Sequence, residues 1–407
     1  MKTIRTAGQA AVATVFAAIM CAPAASATPS PASDTGALAA AVHRDLGISV
    51  EEYQRRADLA QRLAVFAATE QRRSPGSVRG IRLDQQGRAL IAAVGTAAQG
   101  AARHAGFQLT DDSAGQSNPL ASHEVQSGNR IPAPRHTPAA DAPADPIAGG
   151  DIYLSRTPPS DQAAKCSWAF NVVDPDGMPA ALTAGHCNEA VLAGHPLTPD
   201  QQTFPWRNDH VTGPSTGSFE KSVVDGIRDY SIVRITPAAR NSFRNNLVRG
   251  PIGGPDIRIT GVGIPVPGAP VCKSGSTTGF TCGVITAVDQ PDPQRPPIRF
   301  KHSALSLPGD SGGALLSGTL AIGIISDGGL YSDPSQFPTD RPSVLPPSAP
   351  GSPITLGRIL QLIGPQAFQQ AGPLVGQALP AVPQISMIAQ SVADILDQNP
   401  GLRLRTN

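Results

Sequence analysis

Leu320-Ala321-Ile322-Gly323-Ile324-Ile325 is a short β-rich run set between glycine-bearing turns. Ser167-Trp168-Ala169-Phe170-Asn171-Val172-Val173, Tyr230-Ser231-Ile232-Val233-Arg234-Ile235 and Cys282-Gly283-Val284-Ile285-Thr286-Ala287-Val288 share its texture. Repeated short strands between Gly and Pro turns point to an all-β barrel or sandwich beyond Gly149. The composition agrees, since 41 Gly and 41 Pro among 407 residues disfavour long helices throughout. At roughly 100 to 200 residues per domain, the length allows two or three domains. A net charge of +1 with 15% charged residues gives no overall pull on nucleic acid or anionic lipid. A partner must therefore be recognised by shape and local chemistry.

Toward the N-terminus the texture changes. Residues 109–146 are rich in Ser, Pro, Ala and Asp and read as a flexible linker. Before it, residues 37–108 combine an amphipathic helical stretch, two strand-like runs (Val78 to Leu83 and Ala89 to Val94) around a turn at Asp84-Gln85-Gln86-Gly87, and an Ala-rich helical stretch. This small α+β unit carries no cluster suggestive of chemistry. At the start, Lys2 and Arg5 precede an apolar run from Ala10 to Cys21 and the small residues Ala25-Ser26-Ala27. Those zones have the order of a secretory signal, residues 1–27, and the run is shorter than the ~20 residues that span a bilayer. Secretion follows, with no membrane attachment after signal removal. Cys21 leaves with the signal. Cys166, Cys187, Cys272 and Cys282 then enter an oxidising environment, where two disulfides are the default and three connectivities are open. The same environment argues against a metal site, and no cofactor motif is present.

Three signals carry chemistry. Leu182-Thr183-Ala184-Gly185-His186-Cys187 places a histidine at the end of an apolar run, and histidine serves as a general base near neutral pH. Asp229-Tyr230-Ser231-Ile232-Val233-Arg234 places an acid at the entry to an apolar strand. Pro308-Gly309-Asp310-Ser311-Gly312-Gly313 sets a serine among three glycines, where backbone N–H groups can turn toward a developing oxyanion. Ser311 as nucleophile, His186 as base and Asp229 as the carboxylate orienting the imidazole complete the parts for acyl transfer.

Thr183-Ala184-Gly185-His186-Cys187, Asp229-Tyr230-Ser231-Ile232-Val233 and Gly309-Asp310-Ser311-Gly312-Gly313 resemble, in the same order, the three motifs of the chymotrypsin-like serine proteases. Ile147-Ala148-Gly149-Gly150 and Val271-Cys272-Lys273-Ser274-Gly275-Ser276-Thr277-Thr278-Gly279 narrow the resemblance to the secreted bacterial branch, the streptogrisins and alpha-lytic protease. His43-Arg44-Asp45-Leu46-Gly47 and the following helix, hairpin, helix order resemble its pro-region, an intramolecular chaperone and inhibitor.

The resemblance implies two six-stranded antiparallel β-barrels with a C-terminal helix, preceded by the α+β pro-region at 37–108. The protease domain would span 147–364, with 365–407 as a C-terminal extension. It pairs Cys166 with Cys187 and Cys272 with Cys282. The amides of Gly309 and Ser311 would form the oxyanion hole, and Ser326, Asp327 and Gly328 the edge that pairs with substrate. Lys273, beside the first cysteine of the second disulfide loop, would form an ion pair with Asp310. Leu305 stands where trypsin-like members carry the pocket aspartate, so an apolar or uncharged residue is expected before the scissile bond.

The chain departs from the family in three places. Lysine replaces the more usual arginine at Lys273, Asp327 replaces a glycine of the substrate edge, and residues 329–352 form a Pro- and Ser-rich insertion. The functional expectation is a secreted serine endopeptidase made as a pro-enzyme, a monomer acting on polypeptides without cofactor. The alternative is a catalytically silent module that binds peptides or proteins through the same cleft.

Overall fold

The computed structural model describes residues 36–111, 129–132, 146–159, 162–207, 210–331 and 384–407. The expected signal at 1–27, most of the 109–146 linker and most of the Pro-rich insertion lie outside the described residues.

The N-terminal unit is built from helices α1 (Gly36–Leu46), α2 (Val50–Arg73) and α3 (Thr96–His104) and strands β1 (Val78–Leu83), β2 (Ala89–Ala93) and β3 (Gln108–Leu109). Helix α2 starts where the Ser49 hydroxyl accepts from the Glu52 amide, with Glu51 and Glu52 in its first turn and Arg72 and Arg73 in its last, each sign matching the helix dipole. Its buried face, Tyr53, Ala57, Ala60, Leu63, Ala64 and Ala67, recurs at three- and four-residue intervals. β1 and β2 form an antiparallel hairpin, and β3 joins β2 in parallel.

One face of this unit is built into the rest of the molecule. Ala41, Val42 and Tyr53 share a buried cluster with Cys272, Phe280 and Leu316, and Leu63, Leu83 and Ile91 share another with Val266, Val271 and Ile322. Polar contacts fix the register: Gln61 exchanges hydrogen bonds with the Ile264 backbone at 3.0 and 2.8 Å, and the Tyr53 hydroxyl accepts from the Gly318 amide at 2.9 Å.

Short strand β4 (Asn129–Pro132) pairs with β6 (Gln162–Ser167), so part of the segment expected to be a bare linker extends a sheet edge. That sheet follows the path β6, β5 (Ile152–Arg156), β9 (Gln202–Arg207), β11 (Gly217–Val224), β12 (Asp229–Ile235), β8 (Pro179–Thr183) and β7 (Asn171–Val173), with β10 (His210–Val211) added on β9 and a short helix α4 (Glu189–Leu192) between β8 and β9. Its two ends, β6 and β7, are joined by residues 168–170, so the sheet curls back on itself. Trp168, packed between Tyr153 and Phe243, fills its interior.

A ribbon of β13 (Leu247–Val248) and β14 (Ile257–Arg258) leads to the second barrel. Strands β16 (Pro270–Gly275), β17 (Gly279–Asp289), β18 (Arg299–His302), β19 (Ala314–Ser317), β20 (Leu320–Tyr331) and β21 (Gln384–Ser391) form a ring closed by β20 pairing with β21, and β15 (Gly261–Val262) lies parallel to β20.

The placement of β21 corrects the expected boundary. Residues 365–407 do not follow a completed domain: β21 is the strand that closes the second barrel, paired on both sides. Helix α5 (Val392–Gln398) follows, and β22 (Arg403–Leu404) pairs with β7 of the first barrel. An antiparallel barrel has no free edge only when its last strand is present, so the closing strand is displaced in sequence by the insertion rather than dispensed with.

Candidate active site

His186 and Asp229 come from the first barrel. β8 ends at Thr183, and the next turn, Gly185–Cys187, is a single 3-10 turn carrying His186. A Cβ on Gly185 would lie 2.1 Å from the Val223 carbonyl oxygen, so only glycine lets this turn press against β11. Asp229 opens β12. Its carboxylate accepts from the His186 amide at 2.8 Å and meets His186 Nδ1 at 2.8 Å. The Ser326 hydroxyl, across the cleft, donates to the same carboxylate at 2.6 Å.

Both side chains are buried. For Asp229, burial opposes the charged form, but His186 and the hydrogen bonds from Ser326 and the His186 amide hold its carboxyl below the usual range. For His186, burial again opposes charge, yet Asp229, then Asp327 and Glu189, carry its pKa above the ordinary histidine value. His186 Nε2, the nitrogen left for proton transfer, has no hydrogen-bond partner among the described residues. The Ser311 hydroxyl is therefore not bonded to it in this state, a contact that commonly tightens when substrate is present.

Ser311 sits in the loop between β18 and β19. The Ser167 amide donates to its carbonyl at 2.8 Å, and Cys187 Sγ lies 3.9 Å from that oxygen, which brings the loop against the His186 turn. Within the loop, the amides of Asp310, Gly312 and Gly313 donate to Leu307, Ile325 and Asp310 carbonyls. Among the described residues, the amides of Gly309 and Ser311 have no such acceptor, and these are the two expected to form the oxyanion hole. Gly309 has φ +103°, and a Cβ there would lie 2.2 Å from Thr277 Oγ1, so a side chain is excluded by conformation and by space.

Asp310 points away from the cleft into a closed cage. Lys273 Nζ lies 3.1 Å from Asp310 Oδ2, and both side chains are fully buried. The carboxylate also accepts from the amides of Thr277, Thr278 and Leu307 at 2.8, 3.0 and 2.9 Å and from the Thr278 hydroxyl at 2.6 Å. Lys273 donates in turn to Thr278 Oγ1 and the Gly279 carbonyl. Burial pushes Lys273 below the usual lysine range, and Asp310 acts against that shift. The hydrogen bonds that fill the remaining valences of this buried ion pair help to offset the desolvation penalty that burial of the two charges carries.

Cys166–Cys187 and Cys272–Cys282 are the two disulfides. The first, together with His186, makes the group of sulfur and nitrogen atoms close enough to suggest a metal site, but disulfide sulfurs are not thiolate ligands. Leu305 is buried, its carbonyl accepting from the Thr281 hydroxyl at 2.8 Å. Asp327 is half-buried on β20, just beyond a bulge between Ile325 and Asp327. That bulge offers a reason why Ser326, expected at the substrate edge, engages the acid. Gly328 continues the strand, paired with Met387.

Sequence reasoning missed Thr277 and Thr278, which bind Asp310, and Gln390, whose Oε1 accepts from the Asp229 amide at 3.1 Å. The threonines lie within a motif already quoted, where Thr278 gives Asp310 its hydroxyl and its amide and Thr277 gives its amide alone, its hydroxyl donating to the Pro308 carbonyl. Gln390 lay in a stretch read as an extension.

No family model matches the chain. Over 188 residues, 45% of this chain, it is 34% identical to Serine protease 2 of Streptomyces fradiae and covers 94% of that protein. Streptogrisin-D and Streptogrisin-C of Streptomyces griseus are each 32% identical over 45% of this chain, which spans only 41% and 35% of their lengths. Among solved structures, Nocardiopsis protease (NAPase) is similar at 26% identity, covering 64% of this chain and 99% of its own, with a TM-score of 0.40. The near-complete coverage of a relative at this identity settles the lineage: the chain belongs to the streptogrisin branch of the bacterial chymotrypsin-like serine proteases.

Proposed function

We propose that the chain is the precursor of a secreted serine endopeptidase that cleaves peptide bonds through an acyl-enzyme. The observation that carries this reading is the pairing of His186 with Asp229 beside a serine loop that keeps two amides unengaged. Ser311 Oγ attacks the peptide carbonyl and passes its proton to His186 Nε2, while Asp229 holds Nδ1–H and stabilises the imidazolium. The oxyanion forms between the amides of Gly309 and Ser311. His186 then returns the proton to the leaving amine, and water repeats the sequence to release the acid. Lys273, by fixing Asp310, holds the loop in shape without a newly cut N-terminus. The Ile147 amide is already engaged by the Ser242 carbonyl at 2.8 Å, which supports a cut near Pro146-Ile147 that only releases the pro-region. The extensive contacts of residues 36–109 with the second barrel support the role of chaperone.

Leu305 favours an apolar side chain before the scissile bond, since no carboxylate stands at that position to bind Lys or Arg. The test is hydrolysis of matched peptide anilides by the processed protein. Phe or Leu substrates should exceed Arg and Glu substrates in kcat/KM by at least about tenfold, and Ser311→Ala should abolish turnover of all. Arg preference would overturn the pocket assignment. No hydrolysis by folded, pro-region-free protein would favour the silent binding module.

A further inference from the structure

The segment that closes the second barrel also reaches the acid of the first. The β12–β8 ladder begins with Ser231 opposite Thr183, so the Asp229 amide lies past the end of that ladder. Gln390, in β21, takes the place of the missing acceptor: its Oε1 receives the Asp229 N–H at 3.1 Å. Gln390 is 1% exposed and is itself held on the other side, its Nε2 donating to the Ile298 carbonyl at 2.8 Å and to Asp394 Oδ2 at 2.9 Å. Asp394, in α5, forms a two-pronged ion pair with Arg228, the residue before Asp229, at 3.0 and 3.2 Å. Arg299 Nη1 of β18 donates to the Gly226 carbonyl in the same turn at 3.2 Å. The turn leading into the acid is thus gripped at three points by the other barrel, with Gln390 on the acid itself.

We propose that Gln390 is a positioning residue for Asp229, backed by Asp394 and Arg228, and that the C-terminal strand and helix are part of the catalytic apparatus. The inference rests on the serine endopeptidase reading above. An amide side chain is suited to this task because it accepts from the backbone and donates to a carbonyl and a carboxylate at once, which neither an apolar residue nor a carboxylate can do. Without it, the buried Asp229 amide loses its acceptor and the turn is free to shift. A small displacement of the acid misdirects the imidazole that must face Ser311.

The test uses the secreted, processed protein with its C-terminal strand and helix intact and the best peptide anilide substrate. Gln390→Met should lower kcat by about tenfold or more with KM within twofold, since the defect lies in the reacting array and not in substrate binding. In an Asp229→Asn background the same substitution should lower kcat by less than about threefold, because the residue acts through Asp229. Equal fractional losses in both backgrounds, or an unchanged kcat, would overturn the proposal. Arg228→Met alters a partly exposed side chain and serves if Gln390→Met is not secreted: a kcat loss of about twofold or more at constant KM supports the relay, and no loss contradicts it. Wild-type protein lacking hydrolysis would instead sink the endopeptidase reading, so the two failures are distinguishable.

Discussion

Asp310 of the Ser311 loop and Asp229 of the first barrel are supported in opposite ways. Asp310, next to Ser311, is caged by Lys273, Thr277, Thr278 and Leu307, all from the second barrel that carries the loop. Asp229 is held by Ser326 and Gln390, which lie 97 and 161 residues away in sequence and belong to the opposite barrel. The Asp310 cage is therefore preorganised by its own barrel, whereas the surroundings of Asp229 are completed only when the two barrels dock and the last strand is in place. Damage to the first kind of support should appear as parallel losses of stability and activity, and damage to the second as a loss of activity that outweighs the loss of stability.

The largest effect is expected at the acid itself. Asp229→Asn preserves shape but leaves the imidazole tautomer unspecified, and kcat should fall by about 10⁴-fold with the fold retained. A loss under about tenfold would remove Asp229 from the triad. The same variant has a pH signature. Asp229 has a folded pKa below its ordinary 3.8, so its contribution to stability is present above that value and lost as pH falls through the lowered one. The difference in Tm between wild type and Asp229→Asn should shrink on acidification through this range, and a constant difference would contradict the assignment.

Next comes Lys273→Met, which leaves Asp310 buried without its cation. Removing one member of a buried pair costs roughly 3–5 kcal/mol, to be read by denaturant unfolding, and activity should fall in parallel as the loop loses its shape. Unchanged activity would show that the amides and hydroxyl of the cage suffice. The smallest effect concerns Asp327, whose charge raises the pKa of His186. His186 accepts a proton only when neutral, so Asp327→Asn should move the acidic limb of kcat/KM to lower pH with little change at the plateau. A limb that stays in place would separate Asp327 from the site.

The same contrast explains what could be read from the residues alone. The strand runs around Tyr230, Val284 and Ile324, the hairpin at Val78 to Leu83, and the motifs around His186, Asp229 and Ser311 are local patterns that one window of sequence contains. Lys273 beside Cys272 and the Asp310 cage also lie within or near quoted motifs. β21 was not legible in this way. Gln384–Ser391 alternates only weakly, with Met387 and Ala389 buried and Ile388 less so, and the long Pro-rich stretch before it hides its relation to β20. Its identity as a strand depends on partners at both edges, which is a property of the closed barrel and not of the segment.

The central claim is that Ser311 is a nucleophile activated by His186. The direct measurement is intact-mass and peptide mapping of the folded, pro-region-free protein after reaction with a fluorophosphonate. The account predicts a single adduct on the peptide containing Ser311, absent in Ser311→Ala and greatly slowed in His186→Ala. No adduct on protein with both disulfides formed would contradict it.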